Sequence, residues 1–207
     1  MSAAAPGAVR VLVDASALLR EPAGPAAPLW WGVAGLVAIE STVVASFAAS
    51  VLYWRATHAP WPPPGLDLPS PWLPGLGAAL LLLSCLSMWG AGRALGRDEV
   101  SRCVGLIVTS LLLASATLAL RGWQFTQFGY RWDAHPWGSL LWTLSGFHFV
   151  HVVSAVIGTA VVALLGAMGY FSRRRQLAVV VDSLYWYFVA VAWLPLYAVL
   201  YGVPRWT

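Results

Sequence analysis

The chain has 207 residues, of which 59% are hydrophobic and 10% are charged, and its mean hydropathy is +0.72. Because a soluble domain carries about a quarter charged residues, this composition excludes an ordinary soluble domain and indicates a membrane protein. The 12 Lys and Arg residues, all of them arginine, outnumber the 8 acidic residues and give a net charge of +4. They lie between apolar runs, where they indicate membrane topology and not nucleic-acid binding.

Residues 1–28 precede the first apolar run and are rich in proline, alanine and glycine. We predict a mostly irregular cytoplasmic tail, in which 9–19 could form a short surface helix. No unbroken apolar stretch of signal-peptide length occurs here, so we expect no cleaved signal peptide.

Five apolar runs are long enough to cross a bilayer. Backbone within lipid must satisfy its own hydrogen bonds, so each run should be a helix. The predicted fold class is therefore all-α: one transmembrane domain, 29–204, built as a five-helix bundle. The fourth run exceeds the thickness of the hydrocarbon, and we expect its helix to tilt or project. The runs cover about 29–54, 72–91, 103–120, 137–170 and 177–201.

Arginines are distributed unequally between the two sides that five spans imply. The tail, the second loop and the fourth loop share one side and hold eight of them, whereas the other side holds four. Because loops rich in arginine stay in the cytoplasm, we predict a cytoplasmic N-terminus and an external C-terminus. The two sets are Arg10, Arg20, Arg93, Arg97, Arg102, Arg173, Arg174 and Arg175, against Arg55, Arg121, Arg131 and Arg205.

Three ionisable side chains fall well inside the predicted spans: Glu40, His148 and His151. An unpaired carboxylate at the depth of Glu40 is costly, so we expect it to be protonated, paired or facing a polar cavity. The histidines are three residues apart and therefore share one face of the fourth helix. We hypothesise that Glu40 meets one of them between the first and fourth helices. Arg121 and Asp182 lie near predicted helix ends, where their side chains can reach the interface.

Two histidines on one helix raise the question of a metal or haem site. Ligands for a bis-histidine haem come from facing helices, but the other histidines, His58 and His135, lie in predicted loops. A zinc site needs a third or fourth ligand, and Glu40 is the one candidate. Cys85 and Cys103 have no CxxC spacing and are predicted to be small core residues. We therefore expect hydrogen bonds between helices, no metal site, and no catalytic residues, since no hydrolase or phosphate-binding motif occurs.

The fourth run carries the most specific motif in the chain. It reads Trp137-Gly138-Ser139, followed by Ser145-Gly146-Phe147-His148-Phe149-Val150-His151-Val152. This resembles the pattern of subunit III of the haem–copper oxidases (cytochrome c oxidase subunit 3). There, tyrosine-glycine-serine precedes threonine-glycine-phenylalanine-histidine-glycine-x-histidine-valine. The resemblance extends from about residue 29 to the C-terminus.

Other stretches carry the same resemblance. Ile39-Glu40 looks like the serine-glutamate that holds the family's membrane carboxylate, and residues 61–65 look like the tryptophan-proline-proline loop that follows it. Gln124 matches the glutamine of a glutamine-x-x-glutamate motif. Residues 185–193 resemble the tyrosine-tryptophan-histidine-phenylalanine-valine-aspartate pattern of the last helix.

Four positions depart from the family's pattern. Gln127 stands where the motif has glutamate, and in the last helix Tyr187 replaces histidine and Ala190 replaces aspartate. Asp182 falls about two positions later than the family's upstream acidic residue. The sequence leaves open what these replacements do to the polar contacts of the family.

The resemblance implies an accessory integral-membrane subunit without haem or copper of its own, these cofactors belonging to partner subunits. Such a subunit packs against catalytic subunit I and subunit II, binds phospholipid in a cleft, and supports proton uptake and enzyme lifetime. The residues expected to make intramembrane polar contacts or to line the lipid cleft are Glu40, Gln124, His148 and His151. Many bacterial members lack the first two of the family's seven spans. Five spans therefore imply the bacterial plasma membrane and the orientation that the arginines predict.

Two other functions stay open. One is the equivalent accessory subunit of a nitric oxide reductase, which shares the glycine-phenylalanine-histidine region. The other is a small free-standing transporter or sensor that uses Glu40 and His148, although transporters commonly show broken helices or inverted repeats, and none is evident here. The sequence does not indicate whether the electron donor is cytochrome c or quinol.

Overall fold

Residues 22–205 are described by a computed structural model. Within this part the chain forms no strand, and five long helices are each long and apolar enough to cross a membrane. The predicted all-α transmembrane fold is confirmed. Most of the predicted tail, including 9–19, lies outside the described residues, and the orientation of the termini stays a prediction. The helices are α1 (Pro28–Thr57), α2 (Trp72–Gly96), α3 (Val100–Thr126), α4 (Pro136–Ala167) and α5 (Leu177–Tyr197).

Three of the helices, α1, α2 and α3, extend at least three residues past their apolar runs, because a backbone hydrogen-bond ladder does not require apolar side chains. α3 continues to Thr126, six residues beyond the predicted run at 103–120, through a more polar segment that includes Arg121 and Gln124. α2 likewise continues through Arg93 to Gly96. Arg121 therefore lies inside α3 and not in a loop.

α2 and α3 pack along one another, with small and hydroxyl-bearing residues at their interface. Ser110 Oγ donates to the carbonyl oxygen of Ser84 at 3.0 Å, and Thr117 Oγ1 donates to that of Gly77 at 3.3 Å. In a membrane such residues let helices approach closely, and each interhelical hydrogen bond contributes about 0.6 kcal/mol. The buried residues of α3 recur every three or four positions: Cys103, Ile107, Ser110, Ala114, Thr117, Arg121 and Gln124.

α5 lies at the centre of the bundle, in contact with α1, α2 and α4. Trp186 Nε1 donates to Ser84 Oγ at 2.9 Å, which ties α5 to the α2–α3 pair. Pro195 has no N–H and so removes one hydrogen bond from the last turns of α5. The chain then continues through a wide π-helical turn at Ala198–Gly202 and a 3₁₀ turn at Val203–Arg205.

The loops after α2 and after α4 meet at one end of the bundle. Asp98 (φ +64°) and Gly169 (φ +82°) adopt the left-handed conformation that ends a helix. The N–H of Glu99 closes this turn by donating to the carbonyl oxygen of Ala94 at 2.9 Å. The carboxylate of Asp98 accepts from the backbone N–H of Arg173 at 2.8 Å. Two of the arginine-rich segments therefore lie together, as the predicted topology requires.

α1 is the least covered helix, and the proline-rich loop that follows it folds back onto the bundle. Trp61 of this loop is buried; its ring stacks on Trp54 of α1 and meets Trp137 of α4 edge to face, each at 5.8 Å between ring centroids. The loop thus joins α1 to α4 at the end of the bundle opposite the arginine-rich loops.

Candidate functional site

The carboxylate of Glu40 in α1 meets the imidazole of His151 in α4. Glu40 Oε2 lies 3.3 Å from His151 Nε2, and both side chains are mostly covered. His151 Nδ1 lies 2.8 Å from the carbonyl oxygen of Phe147, and since a carbonyl can only accept, Nδ1 carries a proton. Nε2 of the neutral ring is then an acceptor. The Glu40 carboxyl therefore faces the ring nitrogen of His151 that is left to pair with it, across the contact of α1 with α4.

His148 turns away from Glu40 and contacts α5. Its Nε2 lies 3.1 Å from the carbonyl oxygen of Val189, so Nε2 carries the proton and donates. The ring is 2% exposed, and its centroid lies 4.6 Å from that of Trp193. The hypothesis that Glu40 meets one of the two histidines is confirmed for His151. His148 instead makes a hydrogen bond between α4 and α5, a type of contact that was also predicted for these histidines.

A second polar cluster, which was not predicted from the sequence, surrounds Arg121. The prediction that Arg121 reaches the membrane interface is wrong: its side chain is buried, with the guanidinium carbon 3.7 Å from the ring centroid of Trp193. Arg121 Nη1 donates to Gln124 Oε1 at 2.9 Å, and Gln124 Nε2 donates to Tyr201 Oη at 2.8 Å. The aromatic face and the amide oxygen together stabilise the buried cation. Gln124, predicted to make an intramembrane contact, lies at the centre of this cluster.

The spacing of Arg121 and Gln124 was the signal that could have identified this cluster. Counting from Cys103 in alternate steps of four and three residues reaches both side chains. In a membrane helix the polar stripe faces the other helices, since lipid contributes no hydrogen bonds. The predicted span ended at residue 120, so it did not include Arg121 and Gln124.

The interface of α4 and α5 contains two further polar pairs. Thr159 Oγ1 lies 2.9 Å from both carboxylate oxygens of Asp182, and Ser154 Oγ lies 2.9 Å from Tyr185 Oη. Asp182 lies five residues inside α5 and turns towards α4. The sequence indicated Asp182 as a polar residue near a helix end but gave no partner for it.

The Trp137-Gly138-Ser139 motif holds the loop before α4. Trp137 Nε1 donates to Tyr130 Oη at 2.8 Å, the Gly138 N–H donates to His135 Nδ1 at 2.9 Å, and Ser139 Oγ donates to the carbonyl oxygen of Trp132 at 2.7 Å. Burial raises the pKa of the Tyr130 phenol, so it stays protonated. Each residue of the motif thus fixes one part of the loop, which indicates a structural role.

The positions that depart from the family pattern have different surroundings. Ala190 lies in the apolar core, whereas Gln127 follows the end of α3 and donates to Thr126 Oγ1 at 3.2 Å. Tyr187 is half-buried beside the main core cluster. An aspartate at position 190 would be buried among apolar side chains, so the alanine suits its surroundings.

Within residues 22–205, no three or more His, Cys, Asp or Glu residues are grouped as metal ligands would be. Cys85 and Cys103 are free; Cys103 is buried in the core, and Cys85 is half-buried against it. The intramembrane polar groups described above make hydrogen bonds between helices.

The family model of cytochrome c oxidase subunit III matches residues 33–206. A cytochrome c oxidase subunit 3 from Arabidopsis thaliana is 26% identical over 171 residues, which are 79% of this chain and 64% of the relative. The subunit 3 of Pylaiella littoralis is 31% identical over 143 residues (68% and 52%), and that of Thermostichus vulcanus is 22% identical over 172 residues (80% and 83%). The chain thus spans less than two thirds of the length of the Arabidopsis and Pylaiella relatives.

Proposed function

The chain belongs to the cytochrome c oxidase subunit III family, and we propose that it is an accessory, non-catalytic subunit of a haem–copper terminal oxidase. One observation carries this proposal: the family match runs through 33–206 and includes all five helices of the bundle. The relatives from Arabidopsis thaliana and Thermostichus vulcanus are named as subunit 3 of cytochrome c oxidase. We propose that the complex lies in the plasma membrane of a bacterium. Its electron donor is cytochrome c or quinol.

In this proposal haem and copper belong to the partner subunits. This chain contributes a flank of membrane helices whose outer surface is apolar, with large exposed side chains on every helix. Its ionisable groups inside the membrane have partners of their own: Glu40 with His151, Arg121 with Gln124, and Asp182. Such a flank packs against catalytic subunit I and subunit II, with the Arg121 cation kept inside the bundle against the neutral Gln124 and the ring of Trp193.

Two membrane-facing grooves support the binding of phospholipid. A groove of about 490 Å³ between α1 and α5 has an almost wholly apolar lining that includes Val44 and Phe188, and it suits an acyl chain. A second groove of about 340 Å³, between α2 and α5, has Arg93 and Gln176 beside apolar residues. Because Arg93 is a cation at the arginine-rich end of the bundle, it suits the phosphate of a headgroup. We therefore propose phospholipid as a permanent component of the subunit.

The Glu40–His151 pair supports a role in proton uptake and in the working lifetime of the enzyme. A carboxyl and an imidazole are both groups that exchange protons, and here they lie 3.3 Å apart inside the membrane. A group that gains and loses a proton at this depth can buffer the proton supply of a neighbouring catalytic subunit.

Purification of the tagged chain in a mild detergent tests the proposed function. We expect a large haem-bearing partner to co-purify, with a haem absorption spectrum and oxygen reduction in the complex. An unrelated five-helix membrane protein with the same tag is the control for non-specific co-purification. A partner that reduces nitric oxide would assign the chain to that enzyme instead and contradict the oxidase assignment. A chain that purifies alone in every mild detergent would contradict an accessory role altogether.

A further inference from the structure

The hydrogen bonds that start at Arg121 all run in one direction. A guanidinium can only donate, so the bond from Arg121 Nη1 fixes the amide of Gln124 with its oxygen towards the arginine. The amide nitrogen of Gln124 then donates to Tyr201 Oη at 2.8 Å. The phenol that accepts this bond still has its own O–H to donate. The series of bonds therefore begins at a cation and ends on a donor.

Two further donors of this cluster are buried without a partner. Arg121 Nη2 and Ser145 Oγ make no hydrogen bond within residues 22–205. The Ser145 hydroxyl lies close to that of Tyr201, but without the geometry of a hydrogen bond. Arg121 is 4% exposed, Tyr201 is 1% exposed, and Ser145 is fully buried. Because an unpaired buried donor is destabilising, three donors in one place indicate a site for an acceptor.

The positive charge of Arg121 has no counter-charge beside it. None of the ion pairs within residues 22–205 includes Arg121. The ring of Trp193 and the amide of Gln124 stabilise a cation, but neither carries a charge. An arginine keeps its proton in a protein, and a buried charge is costly unless it is paired. The acceptor that best suits this cluster is therefore an anion.

A water molecule suits the same donors less well. It would accept two hydrogen bonds but would bring two O–H groups of its own. These would need acceptors, whereas Trp193 and Tyr201 pack in a cluster of apolar side chains that includes Leu144 and Leu196. A halide ion accepts from several donors and brings no proton. A phosphate or sulfate would carry more charge than one guanidinium balances.

We propose that Arg121, Ser145 and Tyr201 form a buried binding site for one halide ion, with chloride as the probe. Arg121 Nη2, Ser145 Oγ and Tyr201 Oη donate to the ion, and its charge balances the guanidinium. The ion lies between α3, α4 and the π-helical turn after α5, and it stabilises their packing. The site is separate from the Glu40–His151 pair and does not depend on the proposed role in an oxidase.

The experiment compares thermal unfolding of the full chain in one detergent in sodium gluconate, chloride and bromide, at a fixed pH and ionic strength. Unfolding releases the ion, so a halide that binds the folded chain raises the unfolding midpoint. We expect chloride at about a hundred times its dissociation constant to raise the midpoint by roughly 5–10 °C over gluconate. Bromide should have a similar effect, because it has the same charge and also accepts without donating.

Two variants locate the ion. Arg121→Gln removes the charge and should abolish the difference between chloride and gluconate, whereas Ser145→Ala removes one donor and should reduce it. The matched controls are Arg97→Gln, at an exposed arginine after α2, and Ser46→Ala, at an exposed serine of α1. Both controls should keep the full difference. If Arg121→Gln does not fold, the salt series on the unmodified chain and on Ser145→Ala still decides.

Equal midpoints in gluconate, chloride and bromide would overturn the proposal and leave water as the acceptor. A halide effect that persists in full in Ser145→Ala or in Arg121→Gln would also overturn it, since the ion would then bind elsewhere. Because the measurement uses this chain without a partner, its result is independent of whether the chain co-purifies with an oxidase.

Discussion

Alanine at position 138 would place a Cβ 2.8 Å from the carbonyl oxygen of Arg131, 3.2 Å from His135 and 3.3 Å from Tyr130. The nearest of these is a backbone atom, so it cannot move aside by rotating a side chain. The loop would have to shift, which disturbs the hydrogen bonds that join it to Trp137. Gly146 lies two turns further along α4, and a Cβ there has nothing within 4 Å. Alanine is therefore crowded at position 138 and has free space at position 146 of the same helix.

The magnitude follows from two opposing contributions. Alanine is favoured over glycine in a helix interior by about 1 kcal/mol, whereas overpacking costs typically 1–3 kcal/mol. Gly138→Ala should therefore lose about 1 kcal/mol on balance, and Gly146→Ala should gain up to about 1 kcal/mol. For a protein of this size the two variants should differ by roughly 4–8 °C in unfolding temperature.

Thermal unfolding in one detergent, followed by tryptophan fluorescence at a fixed scan rate, measures this difference. The unmodified chain should fall between the two variants. A Gly138→Ala variant as stable as Gly146→Ala would refute the reasoning, because it would mean that the loop does not pack against the start of α4 as described.

The remaining predictions concern the intramembrane groups and the topology. Glu40→Gln should leave assembly with the oxidase intact, because an amide can donate to His151 Nε2. It should shorten the enzyme's working life. An unchanged number of turnovers before inactivation would contradict a functional role of the carboxylate. His148→Ala should lower the free energy of unfolding by about 2–4 kcal/mol, because His148 is 2% exposed. His151→Ala should lower it by less than half as much, because His151 is only half-buried. Equal losses would show that burial does not decide the cost of removing these two histidines. A cysteine at Asp67 should react with an impermeant maleimide from outside the cell, and one at Arg174 only in inverted vesicles. The reverse pattern would reject the predicted orientation.

The helices were predictable because their signal is length and apolarity. Glu40, His148 and His151 could also be identified, since an ionisable residue within an apolar run is conspicuous. Which histidine met Glu40 was not predictable, because residues three apart share a face and a small rotation of α4 decides between them. The structure resolves this by directing His148 to the backbone of α5 and His151 to α1.

Arg121 shows why part of the site was missed. The third apolar run ends at residue 120. Arg121, the next residue, was therefore predicted to lie at the membrane surface. Its burial depends on Trp193 and, through Gln124, on Tyr201, which are more than seventy positions away in the chain. The contact of Thr159 with Asp182 was also not predictable, because it forms only when α4 and α5 pack side by side.

The central claim is that this chain is a subunit without redox metal beside a partner that carries it. Iron and copper can be measured per chain by mass spectrometry after the purified complex is separated into its subunits under mild conditions. We expect haem iron and copper to stay with the large partner and this chain to retain neither. Stoichiometric iron or copper on this chain would contradict the proposal of a subunit without redox metal.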